Sequence, residues 1–191
     1  MAVRVVIAED EAIVRLDLKE ILEEEGYDVV GETGRGDEAV KLVRELEPDL
    51  AILDIKMPGM DGLSAAREIT AEHRAAVLIL TAFSQRNLIE EARDAGALAY
   101  LIKPFQRSEL IPAIEVALGR FHEMRALRHE VQGLESQLET RRVVDRAKGI
   151  LMDDHGMRES DAFSFIQRTA MQNRVTMKVI GDRIISGELR P

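Results

Sequence analysis

The chain has no cysteine and no tryptophan in its 191 residues. Without cysteine there is neither a disulfide framework nor a thiolate metal site. Without tryptophan, and with few other aromatics, platforms for stacking nucleic-acid bases are scarce. Long apolar runs are missing too. "AAVLIL" at 75–80 is among the longest, far below the ~20 residues that a spanning helix needs. No charged segment followed by an apolar one opens the chain, so nothing reads as a leader. These absences point to a cytoplasmic chain with no membrane partner.

The net charge of −9 argues against general adhesion to nucleic acid. The charge is unevenly spread. Residues 1–138 carry 16 Lys+Arg against 27 Asp+Glu, and residues 139–191 carry 10 against 8. An acidic front and a slightly basic back imply separate partners for each part.

Five apolar runs punctuate the front: "VRVVIA" (3–8), "YDVV" (27–30), "LAILD" (50–54), "AVLILT" (76–81) and "LAYLI" (98–102). Between them lie stretches of helical period, marked by Ile13, Leu16, Ile21 and Leu22, then by Ala39, Leu42, Val43 and Leu46. Continuously apolar strands are covered on both faces. The pattern therefore predicts an α/β fold, a doubly wound parallel sheet with helices on each side. In such sheets, functional groups collect beyond the carboxyl ends of the strands. Polar residues stand there: Glu9 and Asp10, Asp54, Thr81, and Lys103 before Pro104. Taken singly, each has an ordinary structural role, such as Asp10 capping the first helix. Together they are one edge of acid, hydroxyl and ammonium. Crowded carboxylates raise one another's pKa, and a hard divalent cation on oxygen ligands relieves the repulsion. A metal, a cation and a carboxylate nucleophile suit phosphoryl transfer through an acyl phosphate.

"IAEDE", "LAILDIKMPGMDG", "LILTAF" and "AYLIKPF" together resemble the receiver domain of two-component response regulators. The resemblance covers roughly residues 3–120. It implies a flavodoxin-like sheet of order 2-1-3-4-5 and Asp54 as phosphoacceptor. Asp10, Asp54 and the Lys56 backbone carbonyl would ligate Mg²⁺, with Glu9 helping through water. Thr81 and Lys103 would bind the phosphoryl oxygens, and Tyr100 would be the switch aromatic. Pro58 and Gly59 would shape the loop after the acceptor. Phe83 occupies a position that varies in the family. The partner implied is a separate sensor histidine kinase. The receiver would catalyse only its own phosphorylation and dephosphorylation, so the chain is not an enzyme in the ordinary sense.

From Ser108, a candidate N-cap, a helical pattern runs to Leu138 with Pro112 near its first turn. Met124, Leu127, Val131, Leu134 and Leu138 form a seam spaced 3, 4, 3 and 4. The seam either packs on its own domain or pairs with a second copy as a coiled coil. The last 50 residues read as three short helices: "RRVVDRAKGILMDDHG", "RESDAFSFIQRTAMQN", capped by Ser160 or Asp161, and "TMKVIGDRIISG", closing on Gly187. Val143, Val144, Ala147, Ile150 and Leu151 read as core, as do Phe163 and Phe165. This region, from about Thr140 to Ile185, resembles the ANTAR domain, an RNA-binding module of transcription antiterminators. "AKGILM" is its most specific stretch. The resemblance implies binding of RNA hairpins. Gly181 stands where that family usually has alanine, which implies a looser third helix.

The organisation expected is thus a receiver at 1–120, a helical linker at 121–139 and a small all-α domain at 140–191. Arg141, Lys148 and Arg174 are candidate phosphate contacts. Gly149 costs roughly 1 kcal/mol against alanine inside a helix, so close approach of a helix or an RNA backbone is expected there. Phosphorylation is expected to promote a homodimer or release the second domain. The alternatives are a DNA-binding response regulator and a phosphorelay or protein-interaction module.

Overall fold

The computed structural model of the chain describes residues 2–82 and 86–191. Phe83 lies outside the described residues. The chain divides into two compact units, Met1–Arg125 and Ala126–Pro191.

The first unit alternates strand and helix: β1 (Arg4–Ala8), α1 (Ala12–Glu24), β2 (Asp28–Thr33), α2 (Gly36–Leu46), β3 (Leu50–Asp54), α3 (Gly62–Ala71), β4 (Ala76–Thr81), α4 (Arg86–Asp94) and β5 (Ala99–Ile102). The strands form one parallel sheet of order β2-β1-β3-β4-β5. Strand side chains alternate between the two faces, and the core follows that period. Val6, Ala8, Ala51, Leu53, Val77 and Ile79 meet α2, α3 and α4. Val5, Ile7, Ile52, Leu78 and Leu80 meet Leu18 and Leu22 of α1 and the start of the next helix. Burial on both sides explains why these strands read as unbroken apolar runs.

Helix faces depart from expectation at α1. Ile13 is 84% exposed and Leu16 58%, while Leu18 and Leu22 are buried. An apolar residue at helical spacing shows that a helix exists; which residues turn inward depends on where the sheet lies.

The fifth helix, α5 (Arg107–His155), is 49 residues long. The expected separate helix at 140–155 is its continuation, because no breaker intervenes and Gly133 is tolerated within a helix at modest cost. Its first residue is Arg107, so Ser108 lies inside the helix and does not cap it. Gln106 N–H instead donates to Glu109 Oε2 at 2.8 Å, the return bond of a capping box. Met124, Leu127, Val131, Leu134 and Leu138 are 42–62% exposed. The seam is thus left largely uncovered within the single chain. Among the described residues, no helix is long and apolar enough to cross a membrane.

The second unit is all-α. It joins the end of α5 to α6 (Glu159–Asn173) and α7 (Met177–Ile185). Val144, Ala147 and Leu151 pack with Ala162, Ile166, Ala170, Ile180 and Ile184. Arg158 is the N-cap residue of α6 and makes no side-chain cap bond, so neither Ser160 nor Asp161 caps it. Thr176 caps α7 by accepting from Val179 N–H. The two glycines have opposite surroundings within the chain, and no packed helix approaches Gly149. A β-carbon at Gly149 would meet nothing within 4 Å. A β-carbon at Gly181 would lie 2.6 Å from Val143 Cγ1 and 3.3 Å from Val143 O. Whatever helix propensity Gly181 forgoes, it lets α7 approach α5.

Candidate functional site

The parallel register brings four strand ends to one edge of the sheet. Glu9 follows β1, and its N–H donates to Thr33 O at 3.0 Å, so the chain stays laddered to β2 as it leaves the strand. Asp54 ends β3, paired in register with Leu80, one residue before Thr81 at the end of β4. Lys103 follows β5, and its N–H donates to Thr81 O at 2.7 Å. Asp10 is exposed; Glu9, Asp54 and Thr81 are buried.

Glu9, Asp10 and Asp54 each offer a carboxylate oxygen, and these oxygens lie within 4.8 Å of one another. Lys103 Nζ reaches into the cluster, 2.6 Å from Glu9 Oε2 and 3.0 Å from Asp54 Oδ1. Lys56 N–H donates to Asp54 Oδ2 at 3.2 Å, and Glu11 N–H donates to Glu9 Oε1 at 3.2 Å. Asp10 does not cap α1. The N-cap residue is Glu11, which makes no side-chain cap bond, so Asp10 remains available to the acidic edge.

Electrostatics follow from burial. The pKa of Asp54 is raised, first by desolvation and then by Asp10, against the lowering pull of Lys103. That of Glu9 is raised by desolvation and by Asp54, again against Lys103. Burial works to lower Lys103, but its bonds to Glu9 and Asp54 outweigh that, and its pKa is raised. With all four groups ionised, three carboxylates and one ammonium leave a formal charge of −2 on this edge. An oxygen-only donor set with that residual charge fits a hard divalent cation.

The loop after Asp54 folds back tightly. Gly62 N–H donates to Ile55 O at 2.9 Å. A β-carbon there would stand 1.9 Å from the Asp54 carbonyl oxygen, so only glycine fits. Asp61 then caps α3 by accepting from Ser64 N–H at 2.7 Å. Tyr100 sits on β5 with 43% of its surface exposed, turned outward. One supporting residue has no signal in the sequence: Arg15 Nη1 donates to Glu9 O at 2.5 Å and ties the first turn of α1 to the acidic corner.

In the second unit, Arg141 and Lys148 line one groove of α5. Lys148 Nζ is held 2.9 Å from both Asp145 Oδ1 and Glu159 Oε1, and those bonds raise its pKa. Arg141 is 82% exposed, with Asp145 at 3.9 Å. Gly149 stands on α5 with open space beside it. Arg174 lies apart in sequence, as the left-handed C-cap of α6 at φ 54°. Phe163 is 40% exposed, against the expectation that it belongs to the core; Phe165 does pack against the core.

Residues 5–115 match the response regulator receiver domain, and residues 132–185 match the ANTAR domain. The chain belongs to the response regulators and carries an ANTAR output domain, and both are regulatory modules. It is 57% identical over 182 residues to the transcriptional regulatory protein PdtaR of Mycobacterium tuberculosis, covering 95% of this chain and 89% of that one. It is 40% identical over 115 residues to the chemotaxis protein CheY of Thermotoga maritima, covering 60% of this chain and 96% of the relative. The crystal structure of a LuxR-family DNA-binding response regulator from Staphylococcus aureus superposes with a TM-score of 0.58 at 32% identity, over 61% of this chain and 98% of that one.

Proposed function

We propose that the chain is a cytoplasmic regulator, phosphorylated on Asp54 by a sensor histidine kinase, that binds RNA hairpins and acts in transcription antitermination. The observation that carries the first half is the buried Asp54 carboxylate with Lys103 Nζ at 3.0 Å and two more carboxylates beside it. An Asp54 oxygen attacks phosphorus as the bond to the donor's histidine nitrogen breaks. The departing imidazole keeps that electron pair and takes up a proton. Glu9, Asp10, Asp54 and the Lys56 carbonyl would hold Mg²⁺, Glu9 through water, and the ion supplies charge neutralisation during transfer. Lys103 exchanges its carboxylate partners for a phosphoryl oxygen, and the Thr81 hydroxyl donates to another.

The new group adds roughly −1.5 to −2 charges. Thr81 moves toward it, and Tyr100 turns from its exposed position into the space released. That change alters the face of β4, β5, α4 and α5. Helix α5 begins in the first unit and ends in the second, which supports it as the element that carries the signal. Its exposed seam supports a phosphorylation-dependent homodimer through a two-stranded coiled coil.

The ANTAR match and the exposed cation Arg141 support the RNA half, with Lys148, Gly149 and Arg174 as further candidate contacts. RNA hairpins are read through backbone, shape and unstacked loop bases, so few cations suffice. Crosslinking the chain to RNA in its host and sequencing the attached fragments tests this reading. Hairpins in transcript leaders are the expected yield. Equal competition by duplex DNA would favour the DNA-binding alternative, and no bound nucleic acid would favour a protein-interaction module.

A further inference from the structure

Phe163 is the only residue of α6 among those lining the groove beside Arg141 and Lys148, and 40% of its surface is open. A buried aromatic in a three-helix core is ordinary; this one is open in a groove that two cations also line. Two positions along the same helix, Phe165 packs against the core. The groove holds about 490 Å³, within the ~300–1,000 Å³ typical of pockets that take small molecules. Its apolar lining is Val144, Met177 and Phe163. Its charged and polar lining includes Arg141, Lys148, Asp145 and the exposed Gln137.

We infer that this groove takes one unstacked base of an RNA loop, stacked on Phe163, with Gln137 at the base edge and Arg141 at the adjoining phosphate. Each part of the groove answers one part of a nucleotide. An aromatic face receives any base, a carboxamide offers both a donor and an acceptor, and an exposed guanidinium binds phosphate. Lys148 takes a lesser part because Asp145 and Glu159 already hold it. The groove would thus prefer a nucleotide already out of its helix, which selects loops over stems. The inference rests on the RNA-binding reading and adds where and how a loop base is held.

The test uses the full chain and a pool of RNA hairpins with a fixed stem and randomised loop. The tightest binder and the same stem closed by a non-nucleotide tether are the two probes. The wild-type chain is expected to prefer the looped probe. Phe163→Leu, which keeps an apolar side chain but no ring, is expected to lose about 5- to 150-fold on the looped probe, the range of one lost base–aromatic stack. Its affinity for the tethered stem should be unchanged, and Phe163→Tyr should retain loop binding. Circular dichroism of the Leu variant checks that the fold persists. If Phe163→Leu and wild type bound the looped probe equally, the stacking inference would fail while RNA binding stood. If the wild type bound no hairpin in the pool, the RNA reading itself would fail. If Phe163→Leu changed the chain's mass in solution and not its loop affinity, the groove would be a contact between copies and the inference overturned.

Discussion

Alanine placed at Gly149 and at Gly181 makes the same chemical change in two helices of one unit, with opposite surroundings. Each substitution gains about 1 kcal/mol of helix propensity. At 149 nothing stands within 4 Å of the new methyl, so the gain is kept. At 181 the methyl would lie 2.6 Å from Val143 Cγ1 and 3.3 Å from the Val143 carbonyl oxygen. A β-branched side chain on a helix has one strongly preferred rotamer, and the carbonyl belongs to α5 itself, so neither neighbour yields easily. Overpacking of this kind costs typically about 1–3 kcal/mol. The propensity gains cancel in a comparison of the two variants, leaving Gly181→Ala less stable than Gly149→Ala by about 1–3 kcal/mol. Native-state hydrogen exchange on peptides from α6 and α7 reads this locally. Protection should rise about 5-fold in Gly149→Ala, and the two variants should differ by about 5- to 150-fold, since 1.4 kcal/mol is a factor of about ten. Equal protection in the two would refute the claim that Gly181 permits the approach of α7 to α5.

Three further outcomes follow from the geometry. Burial raises the pKa of Asp54 even after Lys103 is counted, so folding is favoured by its protonated form. That contribution is fully present below the ordinary carboxylate range and lost as pH rises through the folded value. In chelator, Asp54→Asn should therefore have the higher urea midpoint at neutral pH, with the gap closing toward pH 3; a constant gap would contradict this. Arg141→Ala should weaken hairpin binding more than Lys148→Ala and flatten its salt dependence by about one unit of slope, as read by fluorescence anisotropy; the reverse order would remove Arg141 from the interface. Leu134→Asp, on the exposed seam, should abolish any mass increase caused by beryllofluoride with Mg²⁺ in sedimentation; dimers persisting in this variant would exclude the seam.

The acidic edge was legible in the sequence because it is built locally. Each of its residues ends or follows a strand, and a parallel sheet brings those ends together whatever the helices do. The identity of Lys103's partners was not legible. Both Glu9 and Asp54 hold it, and that depends on side-chain reach across β1, β3 and β5. Helix faces were harder still. Ile13 and Leu16 share the spacing of the buried positions in α1 but look away from the sheet. Which glycine a neighbouring helix crowds is not legible, because crowding at a β-carbon is set by a helix distant in sequence and no local pattern records it: Gly149 has no helix against it, and Gly181 does. The reading of Phe163 failed for the same reason: an aromatic at helical spacing reads as core, and only the placement of α5 and α7 leaves it open.

The central claim is that charge on Asp54 controls nucleic-acid binding by the second unit. It is tested most directly by the affinity of the full chain for a crosslink-identified RNA hairpin, with and without beryllofluoride and Mg²⁺. The account predicts a different affinity with the mimic than without it, and no response in Asp54→Ala. The same affinity in both conditions, with the mimic shown to be bound at Asp54, would contradict it.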